Sequence, residues 1–279
     1  MLRVSKLSFP GFGIGEFDID STAFTIGKID IAWYAVIITL GIVFAVSYLI
    51  YRAKQVGIKP DDVLDFALWA IPIGIIGARL YYVLAKIEEY HSFKEILNIR
   101  SGGLAIYGGI LAGAITVFIV SKVKKIPFLV IADCCTPGII LAQAIGRWGN
   151  FTNGEAFGAE TDIFCRMGIK NLLTGYEMIY VHPTFLYESL WNLLGFVLVN
   201  IFYKKRKYDG QVFLLVFGWY GLGRMFIEGL RADSLYSQIF GLEFRTSQVL
   251  AALIFAACLA CLIYFAIKKP TKELYKNIK

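Results

Sequence analysis

Seven predominantly apolar runs alternate with short polar stretches along the chain: Ile31 to Ile50, Val63 to Ala85, Gly102 to Val120, Ile126 to Ile145, Thr184 to Tyr203, Gln211 to Leu230 and Ser247 to Ile267. Each approaches or exceeds the roughly 20 residues a helix needs to cross a hydrocarbon core. Pro72, Pro137 and many glycines fall inside these runs. Bundled membrane helices tolerate them, because neighbours satisfy freed backbone groups and small residues let helices approach closely. The pattern predicts an all-α, polytopic membrane protein of about seven transmembrane helices in a single integral domain. Residues 1–30 are expected to lie along the interface, 31–267 to form the bundle and 268–279 to form a basic tail.

Composition agrees with burial in lipid: 57% of residues are hydrophobic and only 18% charged, with a mean hydropathy of +0.63. A soluble globular fold is excluded on this balance. The net charge of +7 reads as basic loops beside anionic lipid, not as a nucleic-acid surface. The basic linkers at 51–54, 121–125 and 204–207 and the tail from Lys268 fall on one side of a seven-span chain. By the positive-inside rule that side is cytoplasmic. The amino terminus is then outside, with the loops 86–101, 149–183 and 231–246. The first thirty residues carry no apolar h-region to be removed. Cys134, Cys135, Cys258 and Cys261 lie in apolar runs and are expected to pack, while Cys165 stands in a polar loop with no assigned role.

Charged residues inside apolar runs demand partners, since an arginine at a helix centre costs about 2.5–3.5 kcal/mol on insertion scales. Arg79, Asp133, Arg147, Glu188, Arg224 and Glu228 are such residues. Tyr220, Arg224, Glu228 and Arg231 are spaced by 4, 4 and 3, which confines them to one helical stripe facing the bundle interior. The densest polar cluster is Gly146-Arg-Trp-Gly-Asn150-Phe-Thr-Asn-Gly-Glu155-Ala-Phe-Gly158. Its forked arginine suits a phosphate diester, its amides add donors, its glycines admit close backbone approach, and Glu155 can orient the arginine or handle a proton. Two further clusters, the glycine stretch around Tyr107 and His182-Pro-Thr-Phe-Leu-Tyr-Glu188, are placed on the same outer side. His182 is expected simply to begin the fifth span, with Pro183 at the first helical position. No metal-ligand cluster is visible.

With these residues in hand, the chain resembles the prolipoprotein diacylglyceryl transferase family over nearly its whole length. The most specific element is Gly-Arg-x-Gly-Asn-Phe-x-Asn-x-Glu-x-x-Gly, met by Gly146, Arg147, Gly149, Asn150, Phe151, Asn153, Glu155 and Gly158. Trp33-Tyr34, the double glycines between Gly102 and Gly109, His182-Pro183 with Tyr187-Glu188, and Tyr220 with Arg224, Glu228 and Arg231 add to it. The resemblance implies transfer of diacylglyceryl from phosphatidylglycerol to the lipobox cysteine of prolipoprotein signal peptides. No cofactor is implied, the partners being lipid and signal peptide, and the setting is the bacterial cytoplasmic membrane with the site toward its outer face. It implies catalytic roles for Arg147, Glu155, Arg224 and Tyr107, and headgroup contacts from Arg147, Asn150, Asn153, Gly158, Tyr34, Glu188, Tyr220, Glu228 and Arg231. One departure matters: Tyr107 stands where well-studied members carry a histidine. With an unperturbed pKa near 10, tyrosine is read as an orienting group rather than a general base. Thr136 before Pro137, where alanine is common, is a lesser departure. Intramembrane Arg and Glu also mark transport paths, but here the motifs gather at one end of the bundle rather than at its midplane. A lipid-binding scaffold without turnover is the third reading.

Overall fold

The structure, a computed structural model, describes residues 4–99, 102–232, 236–239, 242–268 and 274–275. Ser101 and most of the lysine-rich tail lie outside them. The apolar runs become α1 (Trp33–Gln55), α2 (Pro60–Ala85), α4 (Ile106–Lys124), α5 (Phe128–Asn153), α6 (Thr184–Tyr203), α7 (Gln211–Glu228) and α8 (Thr246–Lys268), with a short α3 (Phe93–Leu97) between α2 and α4. Six of these are long and apolar enough to cross a membrane. α7, 18 residues long, falls short of that apolarity because it carries Arg224 and Glu228. It still runs within the bundle, antiparallel to α6 and α8 and parallel to α5. At its start the Gly210 and Phe213 N–H groups each donate to Asp133 of α5 at 2.8 Å, and near its end Arg224 meets Glu188 at the start of α6. Gln248 of α8 donates to the Met225 carbonyl at 2.8 Å. Asp133, an intramembrane carboxylate, thus caps the orphan N–H groups of α7.

α5 continues eight residues past the predicted boundary at Ile145, to Asn153. The glycines that suggest a loop are instead contact surfaces. A Cβ at Gly149 would lie 2.7 Å from the Tyr34 ring of α1, and one at Gly138 would lie 3.0 Å from the Ala45 carbonyl oxygen. α2 and α4 cross in the same way, where a Cβ on Gly108 would come within 2.4 Å of the Gly77 carbonyl oxygen. Such small-residue seams supply close van der Waals packing where lipid offers no hydrophobic drive between helices.

Strands complement the helices, which the apolar pattern alone did not suggest. β1 (Val4–Phe9), β2 (Ile14–Asp20), β5 (Met167–Lys170) and β6 (Ile179–Val181) form an antiparallel sheet in the order β2-β1-β5-β6. β3 (Thr22–Ile26) pairs with β4 (Ile29–Ala32), and β7 (Tyr236–Ile239) with β8 (Leu242–Arg245). Leu7, Met167, Ile169 and Val181 of the sheet pack on Phe185 and Phe151, at the facing ends of α6 and α5. Asn171 fastens this cap to the bundle: its amide donates to Ser5 Oγ at 3.1 Å and to the Gly154 carbonyl at 2.7 Å. The opposite end of the bundle gathers the basic linkers. There Arg52 near the end of α1 reaches Asn200 of α6, and Lys124, ending α4, donates to Asp62 near the start of α2 at 2.9 Å.

Arg79 has a structural task. Its guanidinium donates to the carbonyls of Glu95, Ile96, Asn98, Gly102 and Gly103 at 2.7–3.1 Å. Every one of these acceptors belongs to the segment joining α2 to α4, so this buried charge serves as a clamp for that segment. No carboxylate is needed, because five carbonyl dipoles satisfy the fork.

Candidate functional site

At the sheet-capped end of the bundle, three arginines from two sequence regions converge on one carboxylate. Arg147 Nη2, from α5, meets Glu188 Oε2. Arg224 Nη1, from α7, donates to Glu188 Oε1 at 2.9 Å. Arg231, just beyond α7, donates through Nη1 to the same oxygen at 3.4 Å. Arg224 turns its Nη2 to Glu228 Oε2 at 2.5 Å, one helical turn along, and Arg231 Nε lies 3.9 Å from that oxygen. Glu188 and Glu228 are only 4% and 1% exposed. Among the described residues three guanidiniums thus face two buried carboxylates, in surroundings where fields act more strongly than in water. The spacing-based stripe therefore faces inward, and Arg231 belongs to it although α7 has already ended.

Of the two roles the sequence leaves open for Glu155, orienting Arg147 or handling a proton, the first is made only through Asn150. It does not touch Arg147, whose carboxylate partner is Glu188. Its Oε1 accepts from Asn150 Nδ2 at 3.2 Å and Asn153 Nδ2 at 3.1 Å. Arg147 Nη1 in turn donates to Asn150 Oδ1 at 3.4 Å, so Asn150 bridges arginine and carboxylate. Because α5 reaches Asn153, Arg147, Asn150 and Asn153 stand at i, i+3 and i+6 on one helix face. Gly154, with φ +62°, then turns the chain so that the Glu155 N–H returns to the Asn150 carbonyl at 3.1 Å. Ala156 is held in the left-handed region at φ +55°, a conformation disfavoured by a Cβ. The buried Thr184 hydroxyl accounts for it by donating to the Ala156 carbonyl at 2.7 Å.

Gly158, for which the resemblance implied a headgroup contact, joins two other chain segments through its backbone. Its N–H donates to the His182 carbonyl at 2.9 Å, the Ala159 N–H donates to Leu230 at 2.8 Å, and the His182 N–H returns to Ala159 at 3.0 Å. A Cβ here would lie 2.6 Å from that of His182 and 2.8 Å from the Leu230 oxygen. The strap 156–160 thereby ties the Glu155 turn to the segments that present Glu188 and Arg231. His182 pairs with this strap through its backbone, and Pro183 is the N-cap of α6 rather than its first residue. The Tyr187 hydroxyl lies 3.4 Å from both His182 Nδ1 and Cys165 Sγ. Sequence spacing gave no sign of Thr184, Asn171 or the strap, whose partners are distant along the chain.

The tyrosines flank the arginines. Tyr34 lies against Gly149 within electrostatic range of Glu155 and Arg147. Tyr220 is within the same range of Arg224, Glu188, Arg147 and Tyr107. Tyr107 itself is 41% exposed, and its hydroxyl lies 3.4 Å from Ser247 Oγ of α8. It therefore stands at the rim, beside Tyr220 rather than in the ion-pair network. An apolar groove of about 250 Å³, lined by Ile37, Ala144, Trp148, Ser189 and Leu193 among others, runs between α1, α5 and α6 beside Arg147 and Glu188 in sequence.

The chain is similar to known proteins along most of its length. Residues 21–264 match the family described as prolipoprotein diacylglyceryl transferase. Phosphatidylglycerol--prolipoprotein diacylglyceryl transferase 1 of Clostridium perfringens is 44% identical over 269 residues, spanning 93% of this chain and 100% of the relative. The similarly named protein of Clostridioides difficile is 47% identical over 218 residues, 78% of this chain and 85% of that one. For that of Enterococcus faecalis the identity is 44% over 272 residues, 94% and 95% of the two chains.

Proposed function

The chain belongs to the prolipoprotein diacylglyceryl transferase family, and from that premise we propose how its own residues divide the work of the reaction. It is a multi-pass membrane transferase that moves diacylglyceryl from phosphatidylglycerol to prolipoproteins, the first step of lipoprotein maturation. The acceptor is the lipobox cysteine of the signal peptide. Its thiolate attacks the glyceryl carbon bonded to phosphate, the carbon–oxygen bond breaks as the carbon–sulfur bond forms, and glycerol phosphate departs. Two demands follow: a proton must leave the thiol, and charge on the leaving phosphate must be met by fixed donors.

Arg147 and Arg224 hold the phosphate, with Arg231 supporting them. The observation that carries this reading is their convergence on Glu188, which fixes the forks side by side where a phosphodiester would be held. Glu188 and Glu228 position the guanidiniums. Glu155, held by two amides, takes the thiol proton, and Asn150 couples that event to Arg147. Tyr34, Tyr107 and Tyr220 line and orient, and one acyl chain follows the groove beside Trp148. The sheet-capped end faces the outer side of the bacterial cytoplasmic membrane, opposite the basic linkers.

Arg147→Lys and Glu155→Gln, assayed in detergent with phosphatidylglycerol and a lipobox peptide, test this division. Each is expected to lower turnover by on the order of 10²-fold, as loss of a transition-state donor or proton acceptor does. Lysine keeps the charge of Arg147 but not its fork. Near-normal turnover in both variants overturns the assignment, and absence of glycerol phosphate release with the wild-type protein overturns the reaction itself.

A further inference from the structure

The β3–β4 hairpin carries an apolar face that the described residues leave largely uncovered. Its register pairs Phe24 with Ile31 and Ile26 with Ile29, and Thr25 with Asp30 on the other side. Side chains alternate across a strand and directly opposed residues share a face, so Phe24, Ile26, Ile29 and Ile31 form one apolar patch. Thr25 and Asp30, joined by a 2.8 Å hydrogen bond, mark the polar side. Phe24, Ile26 and Ile29 are 51%, 64% and 42% exposed, although an isolated two-stranded ribbon is marginal without something against its apolar face. The hairpin is separate from the four-stranded sheet. It also has no linker to the membrane: β4 ends at Ala32 and α1 begins at Trp33, whose N–H donates back to the Ser21 carbonyl at 2.9 Å. Since α1 is long and apolar enough to span the bilayer, the hairpin is fixed at the point where that helix leaves the hydrocarbon, next to Trp33, an interfacial residue type.

We propose that the β3–β4 hairpin is a membrane-surface anchor, laying Phe24, Ile26 and Ile29, with Ile31 beside them, into the lipid interface and keeping Thr25 and Asp30 on the opposite face. The juxtaposition that carries it is a largely uncovered apolar ribbon face joined without a spacer to a transmembrane helix. The anchor holds the start of α1, and with it Tyr34, at a set depth relative to lipid headgroups. This rests on membrane insertion alone and is independent of the assigned chemistry.

To test it, an environment-sensitive fluorophore is attached at Ile26→Cys and, separately, at Thr25→Cys. Both use the full-length chain with its native cysteines replaced and transfer activity retained, in phosphatidylglycerol-containing liposomes. The position-26 probe is expected to be blue-shifted, quenched several-fold more by lipid-borne nitroxide than the position-25 probe, and shielded from aqueous iodide. Equal iodide quenching at the two positions overturns the proposal. So does protection of position 26 from both quenchers, which would mean that a second copy or another protein covers the face. Should the cysteine-free background fail to fold, Phe24→Trp and Thr25→Trp in the otherwise native chain give the same reading with brominated lipids: extra quenching above wild type is expected only for Phe24→Trp, and its absence there refutes the anchor.

Discussion

Glu188 shows how a single buried carboxylate decides the behaviour of charges around it. It takes Arg147, Arg224 and Arg231 at once, so replacing it leaves several buried cations short of a counter-ion. Glu188→Gln keeps volume but removes the charge, and removing one partner of a buried ion pair costs about 3–5 kcal/mol. The expected outcome is a lowered unfolding temperature in detergent together with loss of transfer; unchanged stability would mean that the arginines are neutralised by other groups. Arg79, also buried, obeys different logic, since its partners are backbone carbonyls of one segment. Arg79→Lys supplies a point charge in place of a five-donor fork, with a local cost of about 1–3 kcal/mol for acceptors left unmade. Amide exchange is expected to quicken across 93–103 while the long helices keep their protection; uniform protection would refute the clamp. From sequence the two arginines Arg79 and Arg147 look alike, each a charge in or beside an apolar run, and only their partners separate a site residue from a structural one.

Between elements, the decisive surfaces are glycines. Trp191 of α6 and Trp219 of α7 stack at 4.3 Å between ring centroids, and each indole donates to the other's backbone carbonyl at 3.0 and 2.9 Å. Gly223 makes room for this pair: a Cβ there would lie 2.1 Å from Trp191 Nε1. Gly223→Ala is therefore expected to cost about 1–3 kcal/mol, as overpacking does. Because Gly223 adjoins Arg224, tryptophan emission and transfer activity should change together. Gly113, where an added Cβ would meet nothing within 4 Å, is the control: Gly113→Ala should be neutral or stabilising by about 0.5–1 kcal/mol, from helix propensity. Equal effects at the two positions would remove the packing argument. The same logic explains why the apolar pattern ends α5 too early, since Gly146 and Gly149 resemble a loop in one dimension but are the seam for Ile38 and Tyr34 of α1. The sheet did leave a local trace, the alternation Glu16-Phe17-Asp18-Ile19-Asp20 in β2, overshadowed by the much longer apolar runs.

At the scale of the molecule, one end of the bundle carries the sheet cap and the arginine network, and the other the basic linkers. With basic linkers held inside, a cysteine placed in the Gly27-Lys28 turn of intact cells should react with a membrane-impermeant thiol reagent, and one placed among 204–207 should not. The reverse labelling would invert the proposed orientation. The number and rough extent of the long helices, the membrane setting and most of the polar residues of the site were legible in the amino-acid order. Apolarity and charge are local properties, summed over about twenty neighbouring residues. What tertiary structure decided was pairing: that Glu188 rather than Glu155 receives Arg147, that Gly158 is a joint, that Tyr107 stands at the rim, and that β1 finds β5 more than 150 residues away. Such pairings depend on which helix faces meet and on strands contributed from distant parts of the chain, and no local pattern of residues encodes where a side chain's partner will come from.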